Sequence, residues 1–117
     1  METLCKIRDL YRSIAQYEIA FQKQYDLCLN EGMLLCSLSH ADRISSGEIA
    51  ELLGLTPSNA SKVIKSVEKK GCISRVLGQS DRRQMYFSLT EQGRIRLAQI
   101  KCSTIELPAE LQRVLPK

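Results

Sequence analysis

The sequence predicts a mainly α-helical fold with a small β-hairpin: a winged helix-turn-helix with flanking dimerisation helices. Three observations predict it. Two capped stretches with apolar faces meet at a tight turn containing Gly54. The hydrophobic period changes from helical to alternating after Gly71. A long amphipathic stretch precedes both.

The long stretch reads as a helix from about Glu2 to Tyr25. Leu4, Ile7, Tyr11, Ile14, Phe21 and Tyr25 recur at spacings of three and four, Glu18 takes the missing step, and Leu10 and Tyr17 widen the stripe. So broad an apolar face exceeds what one small core covers. It reads as a dimer interface, beside the plainer reading of an ordinary core helix. A break follows at Leu29-Asn30-Glu31-Gly32. Asn30 is the expected N-cap of a short, mostly buried helix containing Met33, Leu34 and Leu38 and ending near His40.

Ser45 and Glu48 have the spacing of a capping box, in which each side chain bonds the other residue's backbone N–H, and Ile44 and Ile49 have that of a hydrophobic staple. The helix they start is expected to bury Ile49, Ala50, Leu52 and Leu53, and to stop at Gly54. Thr56 then caps a helix with Pro57 in its first turn, where the missing N–H is harmless. This helix runs to about Lys70 and ends at Gly71. Ala60, Val63, Ile64 and Val67 form its apolar face; Ser58, Asn59, Ser61, Lys62, Lys65, Ser66 and Lys69 form its polar one.

Ile73 to Leu77 and Arg83 to Leu89 read as two strands joined through Gly78-Gln79-Ser80-Asp81, a hairpin with Asp81, Arg82 and Arg83 at its tip. Thr90 caps a helix from Glu91 to about Cys102, and Pro108 precedes a last segment, Ala109 to Leu115. No internal repeat or low-complexity region interrupts the 117 residues.

Composition narrows the function. The net charge is only +4, but Thr56 to Arg96 holds nine basic and three acidic residues, while the remainder holds eight basic and ten acidic. A basic half beside a faintly acidic one has the form of a nucleic-acid footprint. No apolar run nears the ~18 residues of a membrane span. Glu2, Lys6, Arg8 and Asp9 break up any signal-peptide core, so a cytoplasmic location is expected. Cys5, Cys28, Cys36, Cys72 and Cys102 show no C-x-x-C spacing, and the single His40 lies in no ligand pattern. Reduced cysteines in or near the core are expected, with no metal and no cofactor. No catalytic pair or nucleotide loop is visible, which excludes enzymes as the leading class.

The helix after Gly54 meets the needs of a major-groove reader. Its apolar face holds it to a core, and small polar residues near its start allow close approach to base edges. Asn59 suits adenine, Ser58 and Ser61 suit several bases, and Lys62 and Lys65 reach bases or phosphates. Arginine at a hairpin tip suits a narrow, electronegative minor groove, with Asp81 orienting a neighbouring arginine. The competing reading is a winged-helix protein-interaction module that antagonises another regulator; a basic tip beside a lysine-lined helix argues against it.

The stretch from Ser45 to Arg96, with SSGEIAELLGLTPSNASKVIKSVEKKGCISR and SDRRQMYFSLTEQGR, resembles the MarR (multiple-antibiotic-resistance regulator) family of winged-helix transcriptional regulators. The resemblance implies a homodimeric DNA-binding regulator, expected to be a repressor, on a palindromic double-stranded operator. By resemblance, Ser58, Asn59, Ser61, Lys62 and Lys65 are the recognition-helix contacts. Arg83 is the minor-groove finger, with Asp81 its orienting partner, and Arg82 completes the wing. The implied organisation is a single domain, 1–117: an N-terminal dimerisation helix at 1–29, the winged helix at 30–96, and a C-terminal dimerisation segment at 97–117. After Cys102 that last segment is short for the family and interrupted by Pro108 and Pro116. This bears on recognition-helix spacing, which a palindrome sets at about 34 Å. Family members answer to small phenolic ligands or oxidants. A small-molecule pocket would draw on Tyr11, Tyr17 and Tyr25, beside their reading as core or interface aromatics. An oxidant would act at Cys5, one turn from Arg8, beside its reading as a packing cysteine.

Overall fold

The computed structural model describes residues 2–77, 85–101 and 105–115. Six helices are described, α1 Glu2–Tyr25, α2 Leu29–Ser39, α3 Ser46–Leu53, α4 Pro57–Lys69, α5 Glu91–Lys101 and α6 Ala109–Val114, with strands β1 Ile44–Ser45, β2 Ile73–Leu77 and β3 Met85–Leu89. They fall into two compact units. One holds α1 and α6; the other starts at Asn30 and holds α2 to α5 with the sheet.

In the first unit α6 packs on α1. Ser13 Oγ donates to Glu110 Oε2 at 3.0 Å, and Phe21 and Tyr25 stack tilted with centroids 5.0 Å apart. Much of the α1 stripe stays uncovered: Leu4 is 64% exposed and Tyr11 72%. The helix ends as Asp26 turns to a positive φ of 55° and its N–H bonds the Gln22 carbonyl. Asn30 is not an N-cap. The helix already includes Leu29, whose N–H is taken by Glu18 Oε2 at 3.1 Å, so a side chain distant in sequence supplies the acceptor.

The second unit follows local signals closely. Ser45 Oγ accepts the Glu48 N–H and Glu48 Oε1 accepts the Ser45 N–H, both at 3.2 Å, and the staple residues Ile44 and Ile49 are buried. Gly54 ends α3 at φ 66°, where a side chain would be strained. Ile49 and Ala50 are buried as expected, but Leu52 is 61% exposed. At 100° per residue, it points about 100° away from the inward direction that Ile49, Ala50 and Leu53 share.

The sheet has one more strand than the hairpin the sequence predicts. Its order is β1-β3-β2, antiparallel throughout, with Ile44 opposite Phe87 and Arg75 opposite Phe87 on the other side. The core beneath comprises Leu34, Leu35, Leu38, Ile49, Ile64, Val67, Cys72, Ile73, Phe87 and Leu97. Thr90 fastens α5 to the turn after α4, donating to the Gly71 carbonyl at 2.6 Å and accepting the Gly93 N–H at 3.0 Å. Two of the four described cysteines, Cys5 and Cys36, are exposed rather than core residues, since each falls on an outward helix face; Cys28 is half-buried and Cys72 fully buried. Cys102 lies outside the described residues.

Candidate nucleic-acid interface

The site is built on α4. Thr56 precedes it in extended conformation, and its Oγ1 accepts the Asn59 N–H at 3.2 Å. That bond fixes the first turn, with Pro57 at its start. Ala60, Ile64 and Val67 are buried and Val63 partly so, which anchors one face. Ser58, Asn59, Ser61, Lys62 and Lys65 are all exposed on the other. The spacing 58, 61, 62, 65 is one helical stripe, and Asn59 lies one turn before Lys62 on its flank. The five predicted contacts therefore share a surface that begins at a helix N-terminus, where the helix dipole favours an anion.

Two residues at the C-terminal end of this helix, Ser66 and Lys70, bond within the protein. Ser66, expected among the outward polar residues, is half-buried, and its hydroxyl donates to Glu31 Oε2 at 2.7 Å. The Lys70 ammonium lies 3.2 and 3.1 Å from the two oxygens of Glu31, itself only 4% exposed. On the sheet side, Arg75 meets Glu68 in a bidentate pair. The hydrogen bond to Glu68 is the largest cause that lifts the Arg75 pKa above the ordinary arginine value. Lys70 and Arg75 are thus partly neutralised within the protein, and the exposed cations of α4 are Lys62, Lys65 and Lys69.

Sequence reasoning missed Glu31, Glu68 and β1. An acidic residue inside an apolar helix was the available signal for Glu31. Arg43, just before β1, lies over the Tyr86 ring of β3 at 4.9 Å from its centroid. Asp81, Arg82 and Arg83, between β2 and β3 in sequence, lie outside the described residues.

Cys5 is exposed on the first turns of α1, and the nearby Arg8 guanidinium bonds Asp9 at 3.1 Å. Of the three tyrosines considered for a ligand pocket, Tyr11 is exposed and Tyr25 buried. Tyr17 borders an open cleft of about 490 Å³ with Gln16, Ala20, Glu106, Pro108 and Gln112. Burial, and then the nearby Tyr25, push the Tyr17 phenol pKa up. Among the described residues no group of three His, Cys, Asp or Glu side chains is placed to hold a metal ion. No described helix is long and apolar enough to cross a membrane.

Comparison with known proteins gives this arrangement a context. The family model described as the MarR family matches residues 27–85. The chain is 29% identical to YwaE of Bacillus subtilis, named an HTH-type transcriptional regulator, over 80% of its own length and 57% of that relative's. It thus spans little more than half of that relative. Among solved structures it is similar to AbsC, a MarR family transcriptional regulator from Streptomyces coelicolor, at a TM-score of 0.75 and 24% identity, covering 86% of this chain and 68% of that one. It is also similar to MepR of Staphylococcus aureus, solved in complex with DNA, at a TM-score of 0.68 and 22% identity, covering 82% and 79%. At these identities the structural likenesses establish the fold alone.

Proposed function

The chain belongs to the MarR family, and from that premise we propose that it is a sequence-specific double-stranded DNA-binding transcriptional regulator that works as a homodimeric repressor. It acts by binding, not by catalysis. The observation that carries the reading is the exposed stripe of α4. Ser58, Asn59 and Ser61 meet base edges in the major groove, while Lys62 and Lys65 hold bases or phosphates. Asp81, Arg82 and Arg83 form the wing, with Arg83 in the adjacent minor groove. The uncovered apolar face of α1, with Leu4, Ile7, Tyr11 and Ile14 exposed, supports a second copy as partner. A two-fold dimer reads a palindromic site.

The cleft beside Tyr17 is where a small-molecule effector would sit. An oxidant would act instead through Cys5, and Cys5→Ser would then retain DNA under peroxide while the unaltered protein releases it.

The test of DNA binding is fluorescence anisotropy on labelled duplex from upstream of the protein's own gene, against random duplex, across a salt series. Affinity at least ~10³-fold above random DNA, falling steeply with salt, is expected. Equal affinity for both duplexes, repeated on a duplex pool covering the genome, overturns the reading in favour of a winged helix that binds another protein.

A further inference from the structure

Buried carboxylates are rare unless paired, because a charge taken from water must be compensated by partners. Glu31 is 4% exposed, in the first turn of α2. Its oxygens engage Ser66 and Lys70 of α4 at 2.7 to 3.2 Å. Those two residues are four apart, so one carboxylate grips two successive turns along a single edge of the helix.

This grip does something the apolar face does not. Ala60, Ile64 and Val67 hold α4 against the core, but hydrophobic burial is non-directional and tolerates small rolls of the helix about its axis. A helix with side chains is about 10–12 Å across, so a roll of about 10° moves a side-chain tip by about 1 Å. Hydrogen bonds to base edges do not tolerate that error. The bonds from Ser66 and Lys70 to a fixed buried carboxylate are directional, and they set the roll.

We propose that Glu31 is a positioning residue of the DNA interface. It sets the rotation of α4 so that Ser58, Asn59 and Ser61 present at one angle, and it commits Lys70 to the protein rather than to phosphate. This rests on the DNA-binding reading. Its signature is a loss of sequence discrimination without a loss of electrostatic binding. Glu31 touches no DNA; it acts through α4.

The experiment uses the full chain and a duplex that the unaltered protein selects from a random library. Affinity for the selected duplex and for a scrambled one is measured across salt, with thermal denaturation alongside. Glu31→Ala and Ser66→Ala are expected to lower the selected-to-scrambled ratio about tenfold, the scale of one misread base pair, without weakening the scrambled complex. Glu31→Gln retains an acceptor for the Ser66 hydroxyl and recovers part of the ratio. Lys70→Met leaves the salt slope unchanged. Leu34→Ala, at another buried position of α2, lowers Tm with the ratio intact. Should Glu31→Ala fail to fold, Ser66→Ala decides. An unchanged ratio in Ser66→Ala, or an equal fall in Leu34→Ala at matched Tm, overturns the positioning role. If the unaltered protein selects no duplex, the DNA-binding reading fails and this proposal with it.

Discussion

The Arg75 guanidinium on β2 meets both carboxylate oxygens of Glu68 on α4, Nε at 2.7 Å and Nη2 at 3.2 Å. Helix α4 is thereby tied to strand β2, and a cation counted in the basic half of the sequence is committed within the protein. Arg75→Ala is therefore expected to leave the salt slope of DNA binding unchanged. A fall of about 0.9, the loss of one phosphate contact, would show that Arg75 reaches the backbone after all.

Lys65 and Arg83 should behave differently from Arg75 and from each other. Lys65 is exposed on the α4 stripe. Lys65→Ala is expected to weaken binding to all sequences about equally and to reduce the salt slope by about 0.9. Arg83→Ala is expected to lose most affinity on sites with A·T-rich flanks. Anisotropy titrations on duplexes differing only in their flanks separate the two, and full affinity in both variants would refute the site assignment.

Gly93 marks a close approach between α5 and the turn after α4. A Cβ built there would land on the Cys72 carbonyl oxygen, which already accepts the Thr90 N–H at 3.1 Å. The obstacle is backbone, so it cannot swing aside as a side chain would. Gly93→Ala is expected to destabilise the protein by about 1–3 kcal/mol or more, measured by urea denaturation. A neutral result would mean that α5 shifts freely, and that the Thr90 bonds do not hold it.

The cysteines should separate by reactivity. Cys5 and Cys36 are exposed, whereas Cys72 is fully buried. Burial chiefly pushes the Cys72 thiol pKa up; Arg96 and Lys70 oppose this, and Glu31 adds to it. Iodoacetamide on the native protein, read by peptide mass mapping, is expected to label Cys5 and Cys36 readily and Cys72 only on unfolding. Because the folded-state pKa is raised, the thiol's contribution to stability is whole below the ordinary thiol value. It is lost as pH rises through the folded value. Cys72→Ala should flatten that alkaline decline, and an unaltered pH profile would show that Cys72 does not titrate there.

The helix-turn-helix was legible because its punctuation is local. Ser45 with Glu48, Thr56 with Asn59 and Thr90 with Gly93 each close a bond across three residues, and the left-handed Gly54 and Gly71 stop α3 and α4. Such bonds depend on residue type and spacing, so a reading of neighbours finds them. The α4 stripe was legible for the same reason, since a 3.6 period separates Ala60, Ile64 and Val67 from Ser58, Lys62 and Lys65 whatever lies opposite.

The rest depends on what lies opposite. β1 has only two residues, too few for any period; it is a strand because Ile44 and Ser45 pair with Phe87 and Tyr86. Ser66 looks like one more polar residue on a basic face until Glu31, 35 positions earlier, supplies its acceptor. Asn30 looks like a cap until Glu18 is found on the Leu29 N–H. By itself the sequence determined the longer elements, the caps of α3 and α4 and the composition of the exposed face of α4, because those follow from interactions within a turn of chain. Only the tertiary structure decided which cations are committed, which carboxylate Ser66 and Lys70 share, and which strand completes the sheet. Those are set by long-range packing, and no spacing rule relates residues that only the folded chain brings together.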